Sequence, residues 1–245
     1  MDDLPHWSDR FFGPLYPRFD LLQRSDIDAE IQGITRLCKI TKEDRIVELC
    51  CGYGRLLVPL GKQVGVEVSG IDKSKSLLAL ARQRAFSAEV PISLLQADLA
   101  EFRGNHSFSV AYLSGTSFGY YDAVEKNLSI LLAARSLLSK GSIFLLDQAN
   151  FPKNLCVNES DREYDFEKAS TFDLENGLYT GTYNYTNRCT GRVLSFPFRI
   201  WLYRRKLVLR LLRRAGFNNF ECFGSFERAA FVERDEKLII VCQAN

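Results

Sequence analysis

Residues 45–55 read RIVELCCGYGR. Ile46, Val47 and Leu49 make a short apolar run that stops at a turn with glycines at 52 and 54. The stretch GRLLVPLGKQ (54–63), with the spacing of a helix, follows it. A buried strand running through a tight glycine turn into a helix is a β–α unit. Glycine there lets the backbone come close to a ligand, and the helix start offers unpaired N–H groups. Pro59 counts against this helix, because it removes one helical hydrogen bond.

The same alternation continues outward. Strands are expected at VEVSGI (66–71), ISLLQA (92–97), FSVAYLS (108–114) and SIFLLDQ (142–148). Between them, residues 74–88 carry Leu77, Leu78, Ala81 and Ala85 on one helical face. Residues 122–139 carry Val124, Leu128, Leu131, Leu132 and Leu138, with a stop at Lys140-Gly141. Alternating strands and helices imply an α/β, doubly wound, mostly parallel sheet with right-handed crossovers. After Asn150 the pattern changes to YDFEKASTFDL, LYTGTYNYTNRC and RVLSFPFRIWLY, separated by ENG and TGR. Turns with glycine between alternating runs predict a three-stranded antiparallel unit over 163–203, inserted after the fifth strand. A basic helix (204–214) ends at Ala215-Gly216. FECFGSF (220–226) and KLIIVCQA (237–244) then read as a hairpin at the sheet edge. Two helices are expected in 7–38, with the aromatic string Trp7, Phe11, Phe12, Tyr16, Phe19.

Of the 245 residues, 46% are hydrophobic and 25% charged, which excludes a disordered or coiled-coil chain. No apolar run reaches the roughly 18 residues of a spanning helix. The start, MDDLPHWSDR, lacks a basic segment followed by an apolar one, so no signal peptide is expected. The seven cysteines (38, 50, 51, 156, 189, 222, 242) show no C-x-x-C spacing. They predict a reduced, cytoplasmic protein without a metal site. Net charge is +2, distributed as −1 over 1–150, −3 over 151–190 and +6 over 191–245.

Several ligands could sit on such a glycine turn. A dinucleotide site wants a third small residue under the pyrophosphate, and Leu57 stands there; a P-loop would need G-K-[ST]. Dinucleotides are therefore not expected to bind. The second strand leads to Asp72 and the third to Asp98. At the carboxyl ends of parallel strands, Asp72 could accept both hydroxyls of a ribose and Asp98 an exocyclic amine of adenine. Helix capping is the competing role for each.

The segments VELCCGYGR, VSGIDKS and LLQADL, with FSVAYLSGTSFGYY and LLSKGSIFLLDQAN, resemble the class I S-adenosylmethionine-dependent methyltransferases over roughly residues 40–150. LLRRAGFNNF resembles endings in the small-molecule branch of that family. The resemblance implies a Rossmann-like seven-stranded sheet of order 3-2-1-4-5-7-6. It divides the chain into an N-terminal helical cap (1–40), a cofactor-binding core (41–150), the insertion (151–203) and the completion of the sheet (204–245). It also implies S-adenosylmethionine as cofactor, with Glu48 ordering the loop at the methionine amino group and Gly52 and Gly54 giving close approach. Asp72 would then hold the ribose, Lys73 would lie near the adenine, and Asp98 and Leu99 would read the adenine edge. Cys50, Ser114 and Tyr16 complete the expected cofactor contacts.

The methyl acceptor should lie beyond the fourth and fifth strands. Tyr120, Tyr121 and Asp147 are the expected catalytic residues, with Phe196, Phe198 and Arg199 of the insertion near the pocket mouth. His6 reads as a surface histidine, and His106, ahead of the fourth strand, as remote from the chemistry. SGTSFGYY lacks the N/D-P-P-Y/F motif of base and amide methyltransferases. A small-molecule amine or hydroxyl acceptor is therefore expected rather than a nucleic acid, for a monomer or homodimer off the membrane. The alternatives are an RNA-modifying methyltransferase using the basic 204–214 helix, and a non-catalytic partner subunit that binds the cofactor.

Overall fold

A computed structural model describes residues 6–23, 26–105 and 107–245. β1 (Ile46–Leu49) is buried along its whole length, as expected of a strand covered on both faces. It pairs in parallel with β2 (Val68–Asp72) and β4 (Phe108–Leu113). β3 (Ile92–Gln96) closes one edge beside β2, and β5 (Leu138–Ala149) lies beside β4. The antiparallel pair β10 (Phe217–Phe223) and β11 (Lys237–Ala244) completes the other edge. The order β10-β11-β5-β4-β1-β2-β3 is the expected 3-2-1-4-5-7-6, with β10 and β11 as the sixth and seventh strands.

Helices cover both faces. α3 (Ile27–Leu37) and α4 (Leu57–Val64) bury Ile34, Leu57 and Leu60 against one. α6 (Val124–Leu137) and α7 (Arg205–Arg214) bury Leu131, Val208 and Leu212 against the other. Pro59 is the third residue of α4, in the first turn, where proline is tolerated. The neighbouring bonds from Val58 N to the Gly54 carbonyl (3.2 Å) and from Leu60 N to the Leu56 carbonyl (2.9 Å) still form. α5 (Lys75–Ala88) is capped by Ser74, whose hydroxyl accepts from Leu77 N at 3.3 Å.

Three expectations need correction. The N-terminal region holds three helices, not two: α1 (Trp7–Phe11), α2 (Tyr16–Gln23) and α3. Gly13-Pro14 breaks the chain between the first two. α6 ends at Leu137 and β5 begins at the next residue, so Lys140-Gly141 lies inside a strand. Leu138, fully buried, is held by the sheet. The insertion has four strands: β6 (Cys156–Ser160), β7 (Tyr164–Asp173), β8 (Leu178–Asn187) and β9 (Val193–Trp201). β6 is a mostly exposed edge, so CVNES carries no hydrophobic alternation to announce it. One face of this sheet, with Phe166 and Tyr185, packs on Phe19 of α2.

Candidate active site

A cavity of 720 Å³ opens at the carboxyl ends of the parallel strands. The turn after β1 forms its floor. Cys50, Gly52 and Gly54 all have left-handed φ, at 53°, 52° and 73°. A Cβ on Gly54 would meet Val58 at 3.1 Å and Ala81 at 3.3 Å, so the turn packs closely against α5. Gly54 shapes the floor from below, whereas Cys50 and Gly52 line the cavity.

Asp72 stitches this turn to the next one. Its two carboxylate oxygens accept from Gly52 N and Ser74 N, each at 2.7 Å. Burial pushes its carboxyl up, against the pull of these N–H groups. Each oxygen retains a second lone pair for a hydroxyl donor in the cavity. The competing capping role is filled by Ser74 instead.

Asp98 and Lys73 form the second polar group. Lys73 Nζ lies 3.2 Å from Asp98 and 2.9 Å from Asp9 of α1. Burial disfavours its charge, but the two carboxylates outweigh burial and hold it above the ordinary lysine range. Asp98 also accepts from Ala100 N at 2.9 Å. The Tyr121 hydroxyl donates to Asp98 at 3.3 Å. Tyr121 therefore belongs to the Asp98 end of the cavity, not to the acceptor side expected of it. Burial and the Asp98 charge push its hydroxyl up to about 12, which makes it a poor base.

The third polar group was mostly invisible in the sequence. Glu48, 5% exposed, accepts from the buried Tyr112 hydroxyl at 3.0 Å. Burial pushes its carboxyl up to about 8, against the pull of Tyr112 and Arg55. The Arg55 guanidinium bonds Glu30 at 2.6 Å and lies 3.7 Å from Asp20. Its Nη1 is buried and has no hydrogen-bond partner. Asp20 in turn accepts from the hydroxyls of Tyr16 at 3.2 Å and Tyr53 at 2.8 Å. Arg55 follows the glycine turn directly, but an arginine on a helix ordinarily reads as solvated. Its acidic partners come from α2 and α3, far away in sequence.

The Ser114–Tyr121 loop makes the far wall, where Ser114, Ser117 and Tyr120 line the cavity. Asp147 does not. It is 1% exposed and lies under the loop, accepting from Ser114 Oγ at 2.9 Å and Gly115 N at 3.2 Å, with Lys237 Nζ 3.3 Å away. The expected catalytic Asp147 thus does not face the cavity: Oδ2 accepts both loop donors and Oδ1 faces Lys237. Thr116 has φ of 65°, an outlier for a β-branched residue. Its hydroxyl accepts from Ala149 N at 2.8 Å.

α1 and α2 roof the cavity with Ser8, Asp9, Phe12, Tyr16 and Asp20. His6 is half-buried rather than a surface residue. Its Nε2 donates to the Tyr120 carbonyl at 3.1 Å, which leaves Nδ1 to accept from Ser8 Oγ at 2.7 Å. Ser74 Oγ donates to the Phe12 carbonyl at 2.9 Å. The insertion residues expected at the mouth do not line the cavity. Phe198 packs on Phe11 and Tyr183, Phe196 on Tyr185, and Arg199 pairs with Asp122 at 3.3 Å. His106 lies outside the described residues. Leu99, buried, lines the cavity beside Asp98. No described helix is long and apolar enough to cross a membrane.

Residues 46–141 match a family model described as a methyltransferase domain. A Geobacillus sp. (strain WCH70) protein, provisionally assigned as a methyltransferase, is 30% identical over 103 residues, 42% of this chain and 41% of its own length. The curated relatives are matched over only 41–43% of their lengths. Among solved structures, an S-adenosylmethionine-dependent methyltransferase from Clostridium acetobutylicum superposes with a TM-score of 0.80 at 16% identity, over 94% of this chain and 99% of that one. The sugar N-methyltransferase KedS8 from Streptoalloteichus sp. gives 0.75 at 17% identity, over 95% and 94%.

Proposed function

We propose that this chain, in which residues 46–141 form a class I S-adenosylmethionine-dependent methyltransferase domain, is an enzyme that methylates a small-molecule amine or hydroxyl. The observation that carries the reading is the order of polar groups along one cavity. Arg55 Nη1, buried and unpaired, and Glu48 stand at one end; Asp72 is in the middle; Asp98 is at the other. An amino-acid carboxylate and ammonium, a ribose diol and an adenine amine present complementary chemistry in that order. Bound there, S-adenosylmethionine would supply a methyl group already activated on a sulfonium.

The chain's own residues then have three tasks. Arg55 and Glu48 hold the two charges of the methionine part, Asp72 accepts from the ribose, and Asp98 with the backbone at Leu99 holds the adenine. The roof of Phe12 and Tyr16 excludes water. Ser117 and Tyr120 orient the acceptor, and orientation is the main contribution an in-line displacement needs. An amine must be unprotonated to attack, and water can take the proton, so no dedicated base is required.

A cavity of 720 Å³ falls in the range of small-molecule sites. The solved structure described as a sugar N-methyltransferase favours an amine on a polar small molecule. Calorimetry with S-adenosylmethionine, its demethylated product and NAD tests the cofactor. Transfer of radioactive methyl to a panel of amino sugars and simple amines tests the acceptor. Micromolar NAD binding in place of S-adenosylmethionine would overturn the reading.

A further inference from the structure

A second concavity, of 500 Å³, lies between α7 and the turn that joins β7 to β8. Arg204, Lys206, Arg210 and Arg213 line it, against a single carboxylate, Glu175. Other cations of the helix are neutralised. Arg205 pairs with Glu233 at 2.9 Å and Arg214 with Glu125 at 3.0 Å. Lys206, Arg210 and Arg213 have no carboxylate partner among the described residues. Residues 206, 210 and 213 recur at helical spacing, so the three charges share one face over about 10 Å of helix.

Two of the guanidinium groups are held in place without being neutralised. Arg204 donates to the Leu174 carbonyl at 2.8 Å. Arg213 lies 5.0 Å over the Phe220 ring. Neither a carbonyl nor a ring cancels the charge, and a side chain already ordered loses less entropy when it binds. The floor is apolar, formed by Leu202, Leu207 and the ring of Tyr203. Guanidinium forks suit phosphate oxygens, which they contact in pairs.

We propose that this groove binds a small ligand carrying two or more phosphate groups on a partly apolar body, separately from the cofactor cavity. The two share no lining residue, and Asn127 links them. The Tyr203 hydroxyl accepts from Asn127 Nδ2 at 2.9 Å, and the same nitrogen donates to the Tyr121 carbonyl at 2.6 Å.

The test is calorimetry on the full chain with inorganic triphosphate and ATP, alongside a single-stranded RNA. The double variant Lys206→Glu/Arg210→Glu is compared with Arg192→Glu, a charge reversal at an exposed site in the insertion. One saturable site is expected for triphosphate, with ATP binding more tightly through the apolar floor. The double variant should weaken both by more than about tenfold, the effect of losing charge-assisted contacts. Arg192→Glu should leave them unchanged. An intact thermal transition in each variant separates this from unfolding. No saturable triphosphate binding, equal loss in both variants, or binding of RNA without triphosphate would overturn the proposal.

Discussion

Glu48 ties the site to pH. Its buried carboxyl titrates at about 8, above the ordinary 4.5. A group raised in this way contributes fully below pH 4.5, and its contribution is lost as pH rises to 8. Glu48→Gln escapes that loss. Its stability relative to the natural protein should therefore grow between pH 5 and 8.5, by at most about 4 kcal/mol, as read by urea unfolding at several pH values. A difference that stays flat with pH would contradict the burial argument. By the same linkage, an ammonium beside Glu48 releases its proton, so affinity for S-adenosylmethionine should rise with pH up to about 8. Cys50 has a left-handed φ of 53°, which costs a side-chain-bearing residue about 1–2 kcal/mol relative to glycine. Cys50→Gly relieves that strain but loses the side chain's packing on the core and frees the unfolded chain. The stability should therefore change by less than about 1 kcal/mol, measured by the same denaturation. Arg55→Lys keeps the charge but not the planar fork. It should weaken binding of the demethylated cofactor by about tenfold or more and leave methylthioadenosine, which has no amino-acid part, unaffected.

Among the elements, the Ser114–Tyr121 loop is held from both ends. Asp147 fixes its start, and Asn127 of α6, fully buried, fixes its end by bonding both backbone groups of Tyr121 and the Tyr203 hydroxyl. Asn127→Ala would leave three polar groups without partners, and should cost about 2–4 kcal/mol while lowering cofactor affinity through Asp98. A loss below about 0.5 kcal/mol in chemical denaturation would show the network to be slack. How well each element could be read in the sequence followed its burial. β1, β2 and β4 are apolar runs because helices cover both faces, and their ends located Asp72. β6 and the break between α1 and α2 lie at the surface, where no periodicity is demanded, and both were missed. Asp147 was misjudged for another reason. Standing at the end of a strand put it on the correct side of the sheet, but Lys237, which neutralises it, comes from the last strand, 90 residues away.

Across the whole molecule, contacts between distant parts of the chain complete the site. The glycine turn and the two acids come from consecutive β–α units, so local pattern revealed them. Arg55 gains its meaning only from Asp20 and Glu30, and Tyr121 only from Asp98. The roof is the same kind of contact on a larger scale. Polar ties run from the N-terminal segment to three separate parts of the cavity rim: His6 and Trp7 to the Tyr120 carbonyl, Asp9 to Lys73, and Phe12 to Ser74. These ties turn entry into a matter of timing. If the roof must release before anything passes, cofactor capture should reach a ceiling rate at high concentration, set by opening rather than by encounter. Stopped-flow fluorescence of Trp7 should show that plateau. Asp9→Asn should raise it, because one clasp is weaker, and should speed departure as well. A rate that climbs linearly with concentration would mean that the path in stays open. With the plateau, this small protein would hold its cofactor for a time governed by its own first helix.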